Sequence, residues 1–174
     1  MSVKTILIEP NTILRQKSLP IITVGQDEQK LMDDMLETMY SANGIGLAAI
    51  QIGVPKRIIV MDIYKDEKGK NPMYFVNPVI KNKDNDKSIY EEGCLSVPNQ
   101  FAEIERPKNC EVEYLNYKGE KKLLKAEGLL ATCIQHEMDH LEGILFIDYL
   151  SKLKKTMIVK KLSKQKKELE RIVV

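Results

Sequence analysis

The chain has little of several residue types that would point to particular classes of protein. It contains no tryptophan, two histidines and three cysteines among 174 residues. An odd, small number of cysteines argues against a secreted, disulfide-stapled domain and favours a reducing compartment. No apolar stretch is long enough to span a bilayer, and the apolar run near the N-terminus is too short for a signal peptide. We therefore expect a cytoplasmic protein without a membrane partner.

The overall composition is that of an ordinary globular chain. Hydrophobic residues make up 43% and charged residues 30%, with a formal net charge of +2. This charge is too small to indicate nucleic-acid binding by itself. The length suits one hydrophobic core. We predict a single catalytic domain over residues 1–174, including a basic helical tail from about residue 151.

Hydrophobic periodicity predicts a mixed arrangement of strands and helices. Apolar residues between Leu31 and Met39 recur at helical spacing, and the helix should end near Asn43 and Gly44. Other segments read as strands, namely Arg57 to Tyr64, Met73 to Ile80, Cys110 to Tyr117 and Glu120 to Ala126. The polar segment from Lys81 to Ser88 is predicted to be a surface loop. Helices are predicted from Gly128 to about Leu141 and from Ser151 onward. Short antiparallel connections between the strands favour an α+β fold over a doubly wound sheet.

The two histidines, His136 and His140, stand four residues apart on one predicted helix. Residues at this spacing are neighbours on the same face, so both imidazoles can reach one metal ion. Glu137 follows the first histidine, which completes an H-E-x-x-H motif. In such a motif the glutamate can hydrogen-bond a water molecule without itself binding the metal. We interpret the segment as the metal site of a hydrolase.

A third protein ligand should come from a cysteine, because the chain has no third histidine. Cys133 shares the helix face of His136, but three ligands on one straight helix converge poorly on a single ion. Cys110 lies in an alternating strand without a motif around it. Cys94 lies in a Gly/Pro-punctuated segment that could approach a metal closely. These residues favour Cys94 over Cys133 but do not exclude Cys133.

Two imidazoles and one thiolate leave a fourth position open, as in a catalytic metal site. Water activated there could attack an amide, with Glu137 transferring the proton to the leaving amine. Donors for the developing oxyanion are also available. Candidates are the side-chain amide of Gln51 and backbone N–H groups beside Cys94.

Three motifs in this order resemble the peptide deformylase family over nearly the whole chain. The first is Gly-Ile-Gly-Leu-Ala-Ala-Ile-Gln from Gly44 to Gln51. The second is Glu-Gly-Cys-Leu-Ser from Glu92 to Ser96. The third is His-Glu-Met-Asp-His-Leu-Glu-Gly from His136 to Gly143. The resemblance implies a bacterial enzyme that removes the formyl group from newly made N-formylmethionyl peptides and releases formate.

The resemblance also implies a fold and residue roles. The fold would be α+β, with antiparallel sheets around the motif helix and a helix at the C-terminus. Cys94, His136 and His140 would bind one divalent ion, Fe(II) in most members, with Zn(II) or another divalent ion also able to occupy the site. Glu137 would be the general acid/base, and the Gln51 side chain and Leu95 N–H would stabilise the tetrahedral intermediate. Backbone groups at Ile45 and Gly46 would hold the peptide extended.

We predict an apolar pocket for the methionine side chain, formed by Ile45, Leu129 and Cys133, although ordinary core packing would explain Leu129 equally well.

One residue departs from the family pattern, because Ile50 stands where proline is usual before the motif glutamine. Isoleucine keeps the apolar character but does not fix φ, so the loop should be less rigid.

The C-terminal tail is strongly basic. Its positive residues are Lys152, Lys154, Lys155, Lys160, Lys161, Lys164, Lys166, Lys167 and Arg171. Such a run is usually a solvated helix face. The family resemblance adds a second interpretation, contact with the ribosome through phosphate groups. We expect the protein itself to be a monomer.

Two other functions fit part of the sequence. A general metallopeptidase would share the water activation but admit a larger acyl group. A metal-stabilised binding module on the ribosome would have a closed metal site and would not need Glu137.

Overall fold

The centre of the fold is a five-stranded antiparallel sheet. The computed structural model describes residues 2–64 and 69–172. Strands follow the order β1-β2-β3-β6-β7 across the sheet. Their bounds are β1 Gly46–Ala48, β2 Ile58–Met61, β3 Met73–Lys83, β6 Asn109–Leu115 and β7 Lys121–Glu127. The β6–β7 turn is tight because Asn116 Oδ1 accepts hydrogen bonds from two backbone N–H groups and Gly119 adopts φ +80°.

A separate two-stranded ribbon pairs β4, Lys87–Cys94, with β5, Val97–Pro107. The two strands are antiparallel along almost their whole length, from Lys87 opposite Pro107 to Gly93 opposite Phe101. The register shifts at the last pair, where Cys94 faces Val97. This ribbon carries Cys94 to its place beside the motif helix.

Helix α2, Gly128–Leu141, begins directly after β7. It packs against the large sheet, and a buried cluster that includes Phe75, Val112 and Ile134 lies between them. The apolar side of α2 is broad, since all but four of its residues are buried. The histidine motif is therefore held in the interior.

Helix α1, Gln26–Ser41, packs against β1 and β2 and contributes a row of methionines to a second core. The row, Met32, Met35 and Met39, is fully buried. Asn43 follows with φ 56°, a conformation that asparagine tolerates, and turns the chain toward β1. Helix α3, Lys152–Ile172, places Leu162, Ile158 and Val159 against the third core beside the ribbon.

The α+β fold with antiparallel sheets is confirmed, as are the helices predicted near residues 31–39 and at 128–141. The predicted loop from Lys81 to Ser88 is wrong. β3 continues to Lys83 and β4 begins at Lys87, so that only residues 84–86 connect them. Polar residues are accommodated there because these strand ends are exposed. The strand at Met73 to Ile80 is confirmed, and its pairing with β6 shifts register between Val76 and Val79, next to Pro78.

Candidate active site

Helix α2 presents both histidines on one buried face. His136 is 8% exposed and His140 is fully buried. Their ring centroids are 5.1 Å apart and the rings meet edge to face. The rings meet because residues at i and i+4 are neighbours on one face of a helix.

The end of β4 brings Cys94 to the two histidines. Its Sγ lies 3.3 Å from His140 Nε2, and one ligand atom from each of Cys94, His136 and His140 falls within 4.8 Å of the others. Ligands at usual bond lengths around a tetrahedral zinc-like ion are roughly 3.3–3.6 Å apart. The three atoms are thus near the spacing that a single ion requires.

Glu92 orients the first histidine. Its Oε2 lies 2.9 Å from His136 Nδ1, so the other ring nitrogen is the one directed at Cys94 and His140. Arg106 donates to both oxygens of the same carboxylate, at 2.6 and 3.0 Å. Glu92 and Arg106 are both buried, so this pair is shielded from solvent. A carboxylate behind a metal-binding histidine fixes its tautomer and ring orientation.

A second acid extends the network to the far end of α2. Arg106 Nη1 donates to Asp139 Oδ2 at 2.8 Å, and the Tyr149 hydroxyl donates to the same oxygen at 2.7 Å. The Arg106 guanidinium also stands 4.9 Å from the centre of the Tyr149 ring. Arg106, which lies on β5, is therefore held by contacts with Glu92 on β4, with Asp139 on the motif helix and with Tyr149 in the segment after that helix.

The surroundings of the histidines suit a cation. Burial, reinforced by the neighbouring charges of His136 and Arg106, keeps the pKa of His140 well below its ordinary value, so its ring is neutral and able to coordinate. For His136, burial opposes protonation, but hydrogen bonds to Cys94 and Glu92 outweigh it and raise the pKa well above the ordinary value. Groups that stabilise positive charge on His136 also favour a metal ion between these ligands.

Glu137 is buried beside the three residues that could hold an ion. Burial raises the pKa of its carboxyl to about 7. Its Oε2 has no hydrogen-bond partner among the described residues. Across from it, a Cβ at Gly46 would overlap the Glu137 carboxyl group, so glycine is what allows β1 to approach this side chain. A carboxyl with a pKa near neutrality and one oxygen free to accept a hydrogen bond suits proton transfer.

Gln51 is held by a 3₁₀ turn over Ala49–Ile52 that follows β1. Its Oε1 accepts from Ala48 N at 2.8 Å, so the amide nitrogen faces Ser96 and Cys94. That nitrogen donates to Ser96 Oγ at 3.1 Å and lies 3.6 Å from Cys94 Sγ. Ile50 is fully buried in the same turn, so packing restrains the position where a proline is usual.

A cleft of about 550 Å³ opens onto this group. Its lining includes four residues predicted for substrate binding, namely Ile45, Gly46, Leu129 and Cys133. Leu129 is 43% exposed, which does not fit ordinary core packing. Cys133 is buried, and desolvation raises the pKa of its thiol well above 9.0, so it stays protonated, unlike a metal-binding thiolate.

The structure brings the residues singled out in the sequence into one region. Leu95 lies in the turn directly after Cys94 and also lines the cleft. Cys110 is a buried core residue of β6. Sequence reasoning gave no role to Glu92, Arg106 or Asp139. Glu92 and Asp139 stand inside recognised motifs, but nothing in the sequence shows that Arg106 joins them.

Comparisons with known proteins agree with the geometry. A family model described as "Polypeptide deformylase" matches residues 3–156. A curated peptide deformylase from Pelagibacter ubique is 75% identical over 174 residues, covering 100% of both chains. The crystal structure of the Ehrlichia chaffeensis peptide deformylase superposes with a TM-score of 0.90 at 41% identity, covering 96% of this chain and 98% of that one. The Acinetobacter baumannii enzyme, solved with Met-Ala-Ser bound, gives a TM-score of 0.81 at 33% identity, covering 86% of this chain and 100% of that one.

Proposed function

This chain belongs to the peptide deformylase family, whose members remove the formyl group from newly made N-formylmethionyl polypeptides, and we propose how its residues divide that reaction. The protein is a metal-dependent hydrolase of this kind. The observation that carries the proposal is the convergence of Cys94, His136 and His140 beside Glu137, whose Oε2 has no hydrogen-bond partner among the described residues. The metallopeptidase and the ribosome-bound module are set aside on the family assignment.

Cys94, His136 and His140 would hold one divalent ion, and their donor set suits it. Sulfur and imidazole ligands are compatible with iron or zinc. We propose Fe(II) as the native ion, with Zn(II) or another divalent ion as a substitute. Such an ion supplies Lewis acidity, which makes water acidic enough to attack an amide near neutral pH. Glu92 holds His136 in position for this ion through its hydrogen bond to Nδ1.

Glu137 would act as the general acid/base. As a carboxylate it takes the proton released when water attacks the formyl carbon. As a carboxylic acid it then delivers that proton to the amine that leaves as the new N-terminus. A pKa of about 7 supports both directions of transfer, because neither state is strongly favoured at neutral pH.

Gln51 and Leu95 would stabilise the oxygen of the formyl group as it becomes negative. The Gln51 amide nitrogen is aimed at the Cys94 region because Oε1 is engaged with Ala48. The backbone N–H of Leu95, in the turn after Cys94, would be the second donor. Two donors fixed before the reaction need no reorganisation when the charge develops.

The substrate would lie along β1, with its backbone extended beside Ile45 and Gly46. Its methionine side chain would enter the apolar part of the cleft, where Ile45, Leu129 and Cys133 contribute to the lining. Gly46 has a second role, since it leaves the space that Glu137 occupies. Methionine suits such a pocket because its unbranched side chain adapts to irregular walls.

A formate-release assay with matched peptides tests this proposal. The substrates are N-formyl-Met-Ala-Ser and N-acetyl-Met-Ala-Ser, incubated with protein purified without oxygen and loaded with Fe(II). We expect release of formate and no measurable release of acetate. Equal rates on the two peptides would identify a general amidase, and no release from fully metallated protein would reject the function.

We infer one catalytic unit over residues 1–174, monomeric and cytoplasmic, that contacts the ribosome through α3. Among the described residues no helix is both long enough and apolar enough to cross a membrane.

Many basic side chains of α3 are exposed, including Lys160, Lys164 and Lys167, which supports contact with RNA phosphates. Ribosome binding should then weaken with salt and be lost when the residues after Leu150 are removed.

A further inference from the structure

A second groove lies between the β4–β5 ribbon and helix α3. Its volume is about 700 Å³. Residues from both elements form its walls, among them Glu91, Gln100, Phe101, Lys154, Met157 and Lys161. The groove is separate from the metal ligands, none of which lines it. We call it the ribbon–α3 groove.

The ribbon–α3 groove is continuous with the substrate cleft. Glu91, Gln100 and Phe101 line both of them. A chain leaving the cleft over these three residues would therefore enter the groove without crossing open surface. The substrate of this enzyme is a polypeptide, so a chain does leave the cleft whenever the substrate is longer than a few residues.

Phe101 forms the ridge between the two spaces. Its ring is 65% exposed. It lies over Gly93, where a Cβ would come within 2.6–2.7 Å of two ring carbons. Glycine at this position thus leaves room for the ring, whose exposed aromatic surface is available to a passing peptide.

The opposite wall is also partly apolar although it faces solvent. Met157 is 62% exposed on α3. Lys154 and Lys161 stand seven residues apart on the same helix, about 10 Å along its axis, and neither is in an ion pair within the described part of the chain. Glu91 and Glu103, on the ribbon side, are exposed. Side chains of both charges line the groove. A charged substrate side chain would therefore gain little net affinity there, and an apolar side chain would gain the most.

One polar atom at the junction lacks a partner. The Gln100 side-chain nitrogen is buried and makes no hydrogen bond within the described residues. Rotation of the amide into the groove would let it donate to a carbonyl group. A peptide backbone supplies such carbonyls at every residue.

From these observations we propose that the ribbon–α3 groove binds the continuation of the nascent chain, from about the fourth residue onward, and favours apolar side chains there. The proposal rests on the function proposed above. With a tripeptide in the catalytic cleft, which spans roughly 10 Å when extended, the groove would receive the residues that follow. The groove would then add affinity for longer substrates without touching the reacting atoms.

The test compares substrates that differ only beyond the third residue. One is N-formyl-Met-Ala-Ser; the other is an eight-residue peptide with the same start and leucines at positions five and seven. We expect kcat/KM to be about tenfold higher for the longer peptide, through a lower KM, which is the order expected for burial of one large apolar side chain. An eight-residue peptide with glycine and serine after position three should lose most of this gain.

Two matched variants of α3 locate the effect. Met157→Gln removes an apolar side chain from the groove, and Leu169→Gln makes the same change at a residue that is 65% exposed elsewhere on α3. Met157→Gln should abolish the advantage of the leucine peptide and leave the tripeptide rate unchanged, while Leu169→Gln should alter neither. Equal kcat/KM for all three peptides in the native enzyme would overturn the groove proposal, whereas failure to process even the tripeptide would reject the function itself. Self-association that Met157→Gln abolishes, with no effect of peptide length, would assign the groove to a second copy and also overturn it.

Discussion

Glu137→Gln is expected to lower kcat/KM for N-formyl-Met-Ala-Ser by about 10²–10⁴-fold, the contribution usual for a positioned general acid/base. Glutamine keeps the shape of the side chain but cannot accept and return the proton. Because Glu137 is not one of the three clustered ligand residues, bound metal should stay near one equivalent. The measurement is formate release together with metal content.

Glu142→Gln is the matched control for this prediction. It makes the same chemical change one residue beyond the end of α2, where the carboxylate pairs with Lys17 and Arg57. Its side chain is 39% exposed, so activity should be close to that of the native enzyme. A Glu137→Gln protein with full metal and native turnover would remove this residue from the mechanism.

Arg106→Leu should be among the most destabilising single changes in the chain. It leaves the buried carboxylate of Glu92 without its counter-charge and removes a partner of Asp139. Breaking a buried ion pair in this way costs about 3–5 kcal/mol of unfolding free energy. Chemical denaturation followed by circular dichroism measures it.

The same variant should also loosen the metal site. Glu92 would no longer be fixed behind His136, and loss of such support lowers metal affinity by about 10–100-fold. Lys87→Leu is the control, because its pair with Glu105 spans the same two strands on the exposed surface and should be worth about 0–1 kcal/mol. Similar destabilisation by the two variants would show that burial of the Arg106–Glu92 pair has no special weight.

Sequence patterns predict the parts of the site that depend on residues close together in the chain. His136, Glu137 and His140 form a site because a helix places i and i+4 residues together, and the apolar residues around them bury that helix. The strand periodicity of Cys110 to Ala126 was equally direct. The position of Cys94 required more, since only the β4–β5 ribbon brings it to the histidines.

The features that the sequence does not predict, the β4–β5 ribbon and the role of Arg106, depend on contacts between distant segments. The ribbon was not predicted because Gly93, Pro98 and the polar residues near Asp84 read as loop signals, although the strands gain stability from each other. Arg106 gave no signal at all, since its partners Glu92 and Asp139 lie 14 and 33 residues away. Periodicity within one segment cannot report such contacts.

The central claim is that Cys94, His136 and His140 hold the ion that deformylation requires. The most direct test is anaerobic titration of chelator-treated protein with Fe(II), with formate release measured at each step for the native chain and for Cys94→Ala. Native activity should rise in proportion to bound metal, saturate near one equivalent, and not be restored in Cys94→Ala. Full formate release by metal-free native protein, or native activity in Cys94→Ala, would contradict the central claim.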